Sequence, residues 1–211
     1  MSRPKRRLSP LEILEGAYDI LDKGVYNDLT VDYLARVLRM SKSTLYKYFD
    51  GKDDLIAALV DSICTQTEDM LASCQSILKE GTVESMDVLV RVYAGHAHRL
   101  PRALILQRHR LPVACQERVE LTYAVIRRHC RDILRHSSSE AYGFAGIESP
   151  ELISVSFFAA LRAAMVASAR GEVELTRAEA VNAAYKVFGR VLGLVKSSSA
   201  SDAGTSWNTT V

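Results

Sequence analysis

The sequence predicts an all-α protein, and three observations predict it. Apolar residues recur at helical spacing through most of the chain, helix caps and stops recur at regular intervals, and no period-two alternation lasts long enough for a strand. About nine helices follow, grouped as a small N-terminal unit and a larger C-terminal one.

The elements can be justified in order. Ser9 is a side-chain cap with Pro10 at the first helical position and Glu12 completing a capping box. Leu11, Ile13, Leu14, Ala17, Tyr18, Ile20 and Leu21 then follow the helical period until Gly24 stops it. Thr30 opens a short helix that buries Val31, Leu34, Ala35 and Leu38. After a break at Arg39-Met40, Ser41 caps a second short helix reaching about Phe49. Asp50-Gly51 breaks the chain again. One long helix is expected from Lys52 to about Lys79, with Asp53 and Asp54 in its first turn, where they suit the helix dipole, and Gly81 at its end.

Further helices are expected over Val83–Arg99, Arg102–Arg110 after Pro101, and Ala114–His136 after Pro112. Residues 137–147 read as a loop. Ser149-Pro150-Glu151 starts a helix that Gly171 ends, and Thr176 with Glu179 boxes the last one, which should stop near Lys196. The boundaries that result are a basic arm over 1–8, a helix-turn-helix domain over 9–51, a helical domain over 52–196, and a polar, disordered tail over 197–211.

Composition excludes several classes. With 211 residues, 48% hydrophobic and 25% charged, the chain can bury a core without disulfides or metal. Cys64, Cys74, Cys115 and Cys130 form no CxxC pair and are read as small buried hydrophobes. The expected metal and cofactor content is none. No uninterrupted apolar run is long enough for a bilayer, and no apolar segment follows the basic start, so the expectation is a cytoplasmic protein that avoids membranes. Nucleophile elbows and phosphate-cradling glycine loops are missing, so no enzyme is expected.

The net charge of +2 says less than its distribution. Two short helices joined by a tight turn are the sequence form of a helix-turn-helix. On a helical wheel Leu45, Tyr48 and Phe49 share one side, while Ser43, Tyr46 and Lys47 lie opposite with Lys42 and Thr44 flanking them. No acid occurs between Asp32 and Asp50, where Arg36, Arg39, Lys42 and Lys47 all fall. Hydroxyls and ammonium groups on one face suit base edges and phosphates in a major groove. Lys52 opens the next helix, where free N–H groups also favour a phosphate. In the arm, Arg3, Lys5, Arg6 and Arg7 could reach a minor groove, although a basic run can equally be a solvated tail.

The stretch from Leu29 to Leu59, preceded by "ILEGAYDILDKGVY", resembles the DNA-binding domain of the TetR family of bacterial repressors. Thr30, Ala35, Ser41, Thr44, Leu45, Tyr46, Phe49, Lys52 and Leu55 carry that resemblance over about residues 9 to 60. It implies that Lys42, Ser43 and Lys47 face bases or phosphates, and that Thr30, Ser41, Thr44, Tyr46, Tyr48 and Lys52 serve the backbone contact. For Tyr48 the wheel favours the core and the resemblance favours phosphate. Two positions depart from the family pattern. Arg39 stands at the usual turn glycine and should take a positive φ, and Ser43 replaces a frequent glycine.

The resemblance also implies a C-terminal ligand-binding and dimerisation domain, with double-stranded DNA, a second copy and a small-molecule effector as partners. Small residues on the helix after Ser149, with the stripe on the last helix, suit a four-helix dimer interface. The residues assigned to it are Phe157, Ala160, Ala163, Ala164, Ala167, Ala184, Val187 and Val191. The segment Arg91 to His136 holds all five histidines and ten arginines against Glu117, Glu120 and Asp132. The candidate effector residues there are His98, Arg102, Arg108, His109, Tyr123 and Arg127, and the effector would carry an anion. The plain alternative is arginine stems covering exposed helix faces. The function expected is a homodimeric repressor on a palindromic operator, released by a small molecule. An activator, or an interaction module that has lost DNA binding, stands as the alternative.

Overall fold

The computed structural model describes residues 8–136 and 149–191, and every regular element among them is helical. The helices are α1 Pro10–Lys23, α2 Val31–Val37, α3 Lys42–Leu45, α4 Lys52–Ser73 and α5 Gln75–Lys79, then α6 Val83–Arg99, α7 Arg102–Leu106, α8 Val113–His136, α9 Pro150–Arg170 and α10 Arg177–Val191. Short 3-10 turns cover Tyr26–Asp28 and Arg108–Arg110.

The caps read from the sequence close as bonded units. The Ser9 N–H donates to Glu12 Oε2 at 2.8 Å and the Glu12 N–H donates to Ser9 Oγ at 3.3 Å. Ser149 Oγ accepts from the Leu152 N–H, and Glu179 Oε2 accepts from the Thr176 N–H. Each satisfies amides that a helix start leaves without intrahelical partners.

Three elements are shorter than expected. The helix from Lys52 breaks at Cys74, which sits at φ −97° and ψ 7°. There Ser73 Oγ donates to the Met70 carbonyl, competing with the backbone ladder. The segment after Pro101 breaks at Gln107 (φ −117°), and only a 3-10 turn follows. The second helix of the motif is α-helical only through Leu45; Lys47 and Tyr48 bond three residues back before Phe49 returns to Leu45.

The head is α1 to α3. Ile13, Ala17 and Leu21 of α1 pack with Leu29, Leu34, Leu45 and Phe49, all buried. Gly16 allows α1 to approach α2 closely, because a Cβ there would stand 2.8 Å from Leu38 Cδ2. Leu55, Ile56 and Leu59 of α4 close the head's core, and Val60, Ile63 and Leu71 of the same helix enter the body beside α6 and α8. α4 therefore belongs to both units.

In the body, α9 and α10 pack on each other and α10 packs on α6. Edge-to-face rings bind these layers: Tyr93 meets Phe158 at 5.2 Å and Phe157 meets Tyr185 at 5.9 Å. Arg118 of α8 clamps α4, reaching Asp61 at 3.0 Å and Glu68 at 2.5 Å. That guanidinium holds the Glu68 carboxyl below the usual range.

α9 is by length and composition apolar enough to span a membrane. It packs between α8 and α10 with Phe157, Phe158, Leu161 and Met165 buried, and about a third of its apolar window is buried in all. Cys64, Cys115 and Cys130 are buried free thiols as expected, while Cys74 is only half-buried, and burial pushes Cys130 up to about 12.

Candidate DNA-binding surface and effector cleft

The turn between α2 and α3 sets the angle of the reading segment. Leu38 ends α2, the Arg39 N–H donates to the Arg36 carbonyl, and the Met40 N–H donates to the Ala35 carbonyl at 2.9 Å. This pair of bonds is a Schellman closure, which requires a left-handed residue after the cap. Arg39 supplies it at φ 52°, the only non-glycine with positive φ among the described residues. The same closure ends α9 with Gly171 at φ 76°.

Ser41 opens α3 at the centre of a hydroxyl cluster. Its Oγ accepts from the Thr44 N–H at 3.2 Å and lies 2.7 Å from Thr44 Oγ1 and 2.9 Å from Ser43 Oγ. Thr30 caps α2 by accepting from the Tyr33 N–H. Leu45 and Phe49 are buried, so Ser43, Tyr46, Lys47 and Tyr48 are left facing outward. The open choice at Tyr48 resolves toward solvent: it is 38% exposed and Tyr46 is 52%. The wheel put it inward because it assumed continuous α-helix to Phe49, and the 3-10 bonds after Leu45 rotate the side chain out.

Two lysines are engaged within the protein. Lys42 Nζ pairs with Asp32 Oδ1 at 2.6 Å on the surface, a pair worth little in water and easily exchanged for a phosphate. Lys52 Nζ donates to the Tyr26 carbonyl at 2.7 Å and stands 3.9 Å over the Tyr26 ring. Burial lowers its pKa. The Tyr26 N–H donates to Gln107 Oε1 at 2.8 Å, so Tyr26 ties the head to the body. Arg3, Lys5, Arg6 and Arg7 lie outside the described residues.

A second junction lies on the other side of α1. Arg177, the first residue of α10, pairs with Asp22 at 2.9 Å, and its guanidinium also donates to the Tyr18 hydroxyl and the His98 carbonyl. The Arg102 N–H donates to Asp22 Oδ1. The head is thus tied to the body at Asp22 and at Tyr26, and both ties involve the segment from Arg102 to Gln107.

The body holds an open cleft of about 700 Å³ between α6, α8 and α9. Of the expected effector residues, Tyr123 and Arg127 border it. Arg108 borders a neighbouring void of about 20 Å³, which shares Tyr123, Arg162 and Val166 with the cleft. Arg102 is elsewhere, with its Nε donating to the Ala169 carbonyl, and His98 and His109 are exposed away from either space. The sequence reading missed Tyr93, Phe158, Arg162 and Arg170, which line the cleft. Arg162 interrupts the most apolar helix, and that was the available signal.

The residues assigned to dimerisation also divide. Phe157 is 2% exposed and belongs to the core, because its ring packs on Phe158 and Tyr185. Ala160, Ala164 and Ala184 are half-buried, while Ala163 and Ala167 border the cleft. Val187 is 61% exposed, and the side chain of Val191 lies outside the described part. Leu152, Val155 and Phe188, which had not been assigned, also face outward.

Residues 13–59 match the model of a family described as bacterial regulatory proteins, tetR family. No curated protein sequence matches the chain. Solved structures resemble it over most of its length. The fatty acid degradation regulator FadR from Bacillus halodurans is 16% identical, with 89% of this chain and 95% of that one covered at a TM-score of 0.63. FadR from Bacillus subtilis, described in complex with stearoyl-CoA, is 14% identical over 85% and 97% at 0.62. A TetR-family transcriptional regulator from Agrobacterium tumefaciens is 19% identical over 87% and 98% at 0.64. These identities speak for the fold, and the motif match speaks for the head. A tetR-family match over residues 13–59 thus sits on a fold that this chain shares with solved TetR-family regulators.

Proposed function

We propose that this protein is a homodimeric, cytoplasmic transcriptional repressor that binds a palindromic DNA site and is released by a small anionic effector. The observation that carries the reading is the α3 segment: Leu45 and Phe49 anchor it, while Ser43, Tyr46, Lys47 and Tyr48 face outward, and Asp32 beside them is paired with Lys42. That face supplies phosphate donors and base-edge partners together. Lys47 and Ser43 read the groove. Tyr46, Tyr48, Thr44 and Lys42 hold the backbone, and the arm residues Arg3 to Arg7 extend the contact.

The outward apolar side chains of α9 and α10, Leu152, Val187 and Phe188, support pairing with a second copy about a two-fold axis. Such symmetry sets two reading segments on successive turns of DNA. The arginines at the cleft support an anionic effector, as does the stearoyl-CoA in the complex of the similar Bacillus subtilis FadR. Effector binding favours a spacing of the two heads that no longer fits DNA.

Titrating duplex DNA at increasing salt tests the reading. Wild type should lose affinity steeply as salt rises. Lys47→Glu should weaken binding at least about tenfold at low salt, because it removes one phosphate contact and adds a repulsion. Equal binding by the variant would remove α3 from the contact.

A further inference from the structure

Beside the cleft bordered by α6, α8 and α9 stands a half-exposed carboxylate, Glu120, with more guanidinium around it than it can satisfy. Glu120 Oε1 accepts from Arg108 Nη1 at 2.5 Å. Arg162 is 3.9 Å from the same oxygen, and Arg127 is 4.0 Å from Oε2. Those two contacts are beyond hydrogen-bond reach, so one negative charge faces three positive ones. Arg127 and Arg162 both line the cleft. Tyr93 and Tyr123 line it as well; they are 2% and 6% exposed, and neither hydroxyl has a hydrogen-bond partner among the described residues. These two hydroxyls at the cleft wall are free to donate to an acceptor that enters it. Val155, Phe158, Ala163 and Val166 supply an apolar wall.

We propose that the cleft binds an amphipathic organic anion, a carboxylate or sulfonate on an apolar body, whose anionic group takes the place of Glu120 against Arg127 and Arg162. Planar guanidinium forks suit such groups, and the volume lies within the range of small-molecule sites. Glu120 would then be left to Arg108, which follows Gln107 in the chain, and Gln107 accepts from Tyr26 of the head. That consequence, unlike the binding itself, rests on the reading of the protein as an effector-controlled regulator.

A matched pair of fluorescent probes tests the proposal on the full chain: 8-anilinonaphthalene-1-sulfonate and its uncharged analogue N-phenyl-1-naphthylamine. The sulfonate should bind saturably. Arg162→Gln should weaken it about tenfold, and Glu120→Gln should tighten it by a similar factor, with the uncharged probe changed by neither. Melting temperatures of both variants confirm that they are folded. Equal effects on both probes, or no effect of either substitution on the sulfonate, would overturn the proposal. Salt-dependent DNA binding on the same preparations separates the two ideas. Lost DNA binding with the probe pattern intact counts against the regulator reading alone. DNA binding without the probe pattern counts against this site alone.

Discussion

His96 illustrates what burial does to a titratable residue. It is fully buried, and its Nδ1 lies 2.9 Å from Thr67 Oγ1. Thr67 spends its own proton on the Ile63 carbonyl, so Nδ1 carries the hydrogen and Nε2 is left without a protein partner. Desolvation, helped by the neighbouring Arg99, holds the imidazole down at about 3. The unfolded chain takes up this proton below its ordinary value near 6.5, and the folded chain does not until far lower. Stability from this residue is therefore complete above about pH 6.5 and falls as pH drops toward 3, by about 2 kcal/mol at pH 5. Urea midpoints at pH 7.5 and pH 5 should show that slope in wild type and a shallower one in His96→Gln. An equal slope in both would assign the effect to other groups.

At the scale of elements, the long periodic helices and their caps were legible because they rest on interactions within a few residues. Interruptions were less so. Gln107 gives no local breaking signal; its side chain is claimed by the Tyr26 N–H from another part of the chain. The α2–α3 turn was legible at one residue through the family resemblance, which sets a glycine where Arg39 stands. Arg39 closes the turn at a steric cost that glycine would not bear. Arg39→Gly should accordingly stabilise the protein by about 1 kcal/mol, raising the melting temperature by about 3 °C for a chain of this size. Differential scanning calorimetry reads the shift, and a fall would mean that the Arg39 side chain contributes more than its backbone costs.

For the whole molecule, the outward faces of α9 and α10 separate a monomer from a dimer. Replacing Val187 by Glu sets a charge on that surface, where a solitary monomer would tolerate it. Analytical ultracentrifugation should find wild type as a dimer and Val187→Glu as a folded monomer. Dimers of unchanged affinity would move the interface off α10. The basic face of the head could be read in the chain itself, because the residues that make it lie within two short helices. The cleft could not. Tyr93, Tyr123, Arg127 and Arg162 come from three helices, and only packing brings them to one space. The same is true of Lys52, whose charge suggested a phosphate until the fold set Tyr26 beside it. The sequence by itself determined the long helices, their caps and the outward placing of Ser43, Tyr46 and Lys47, since spacing of three or four residues decides which side chains share a helix surface. Tertiary structure alone decided which arginines meet Glu120, which apolar faces are left open, and how the head is tied to the body. Those depend on side chains distant in sequence, whose meeting no local pattern encodes.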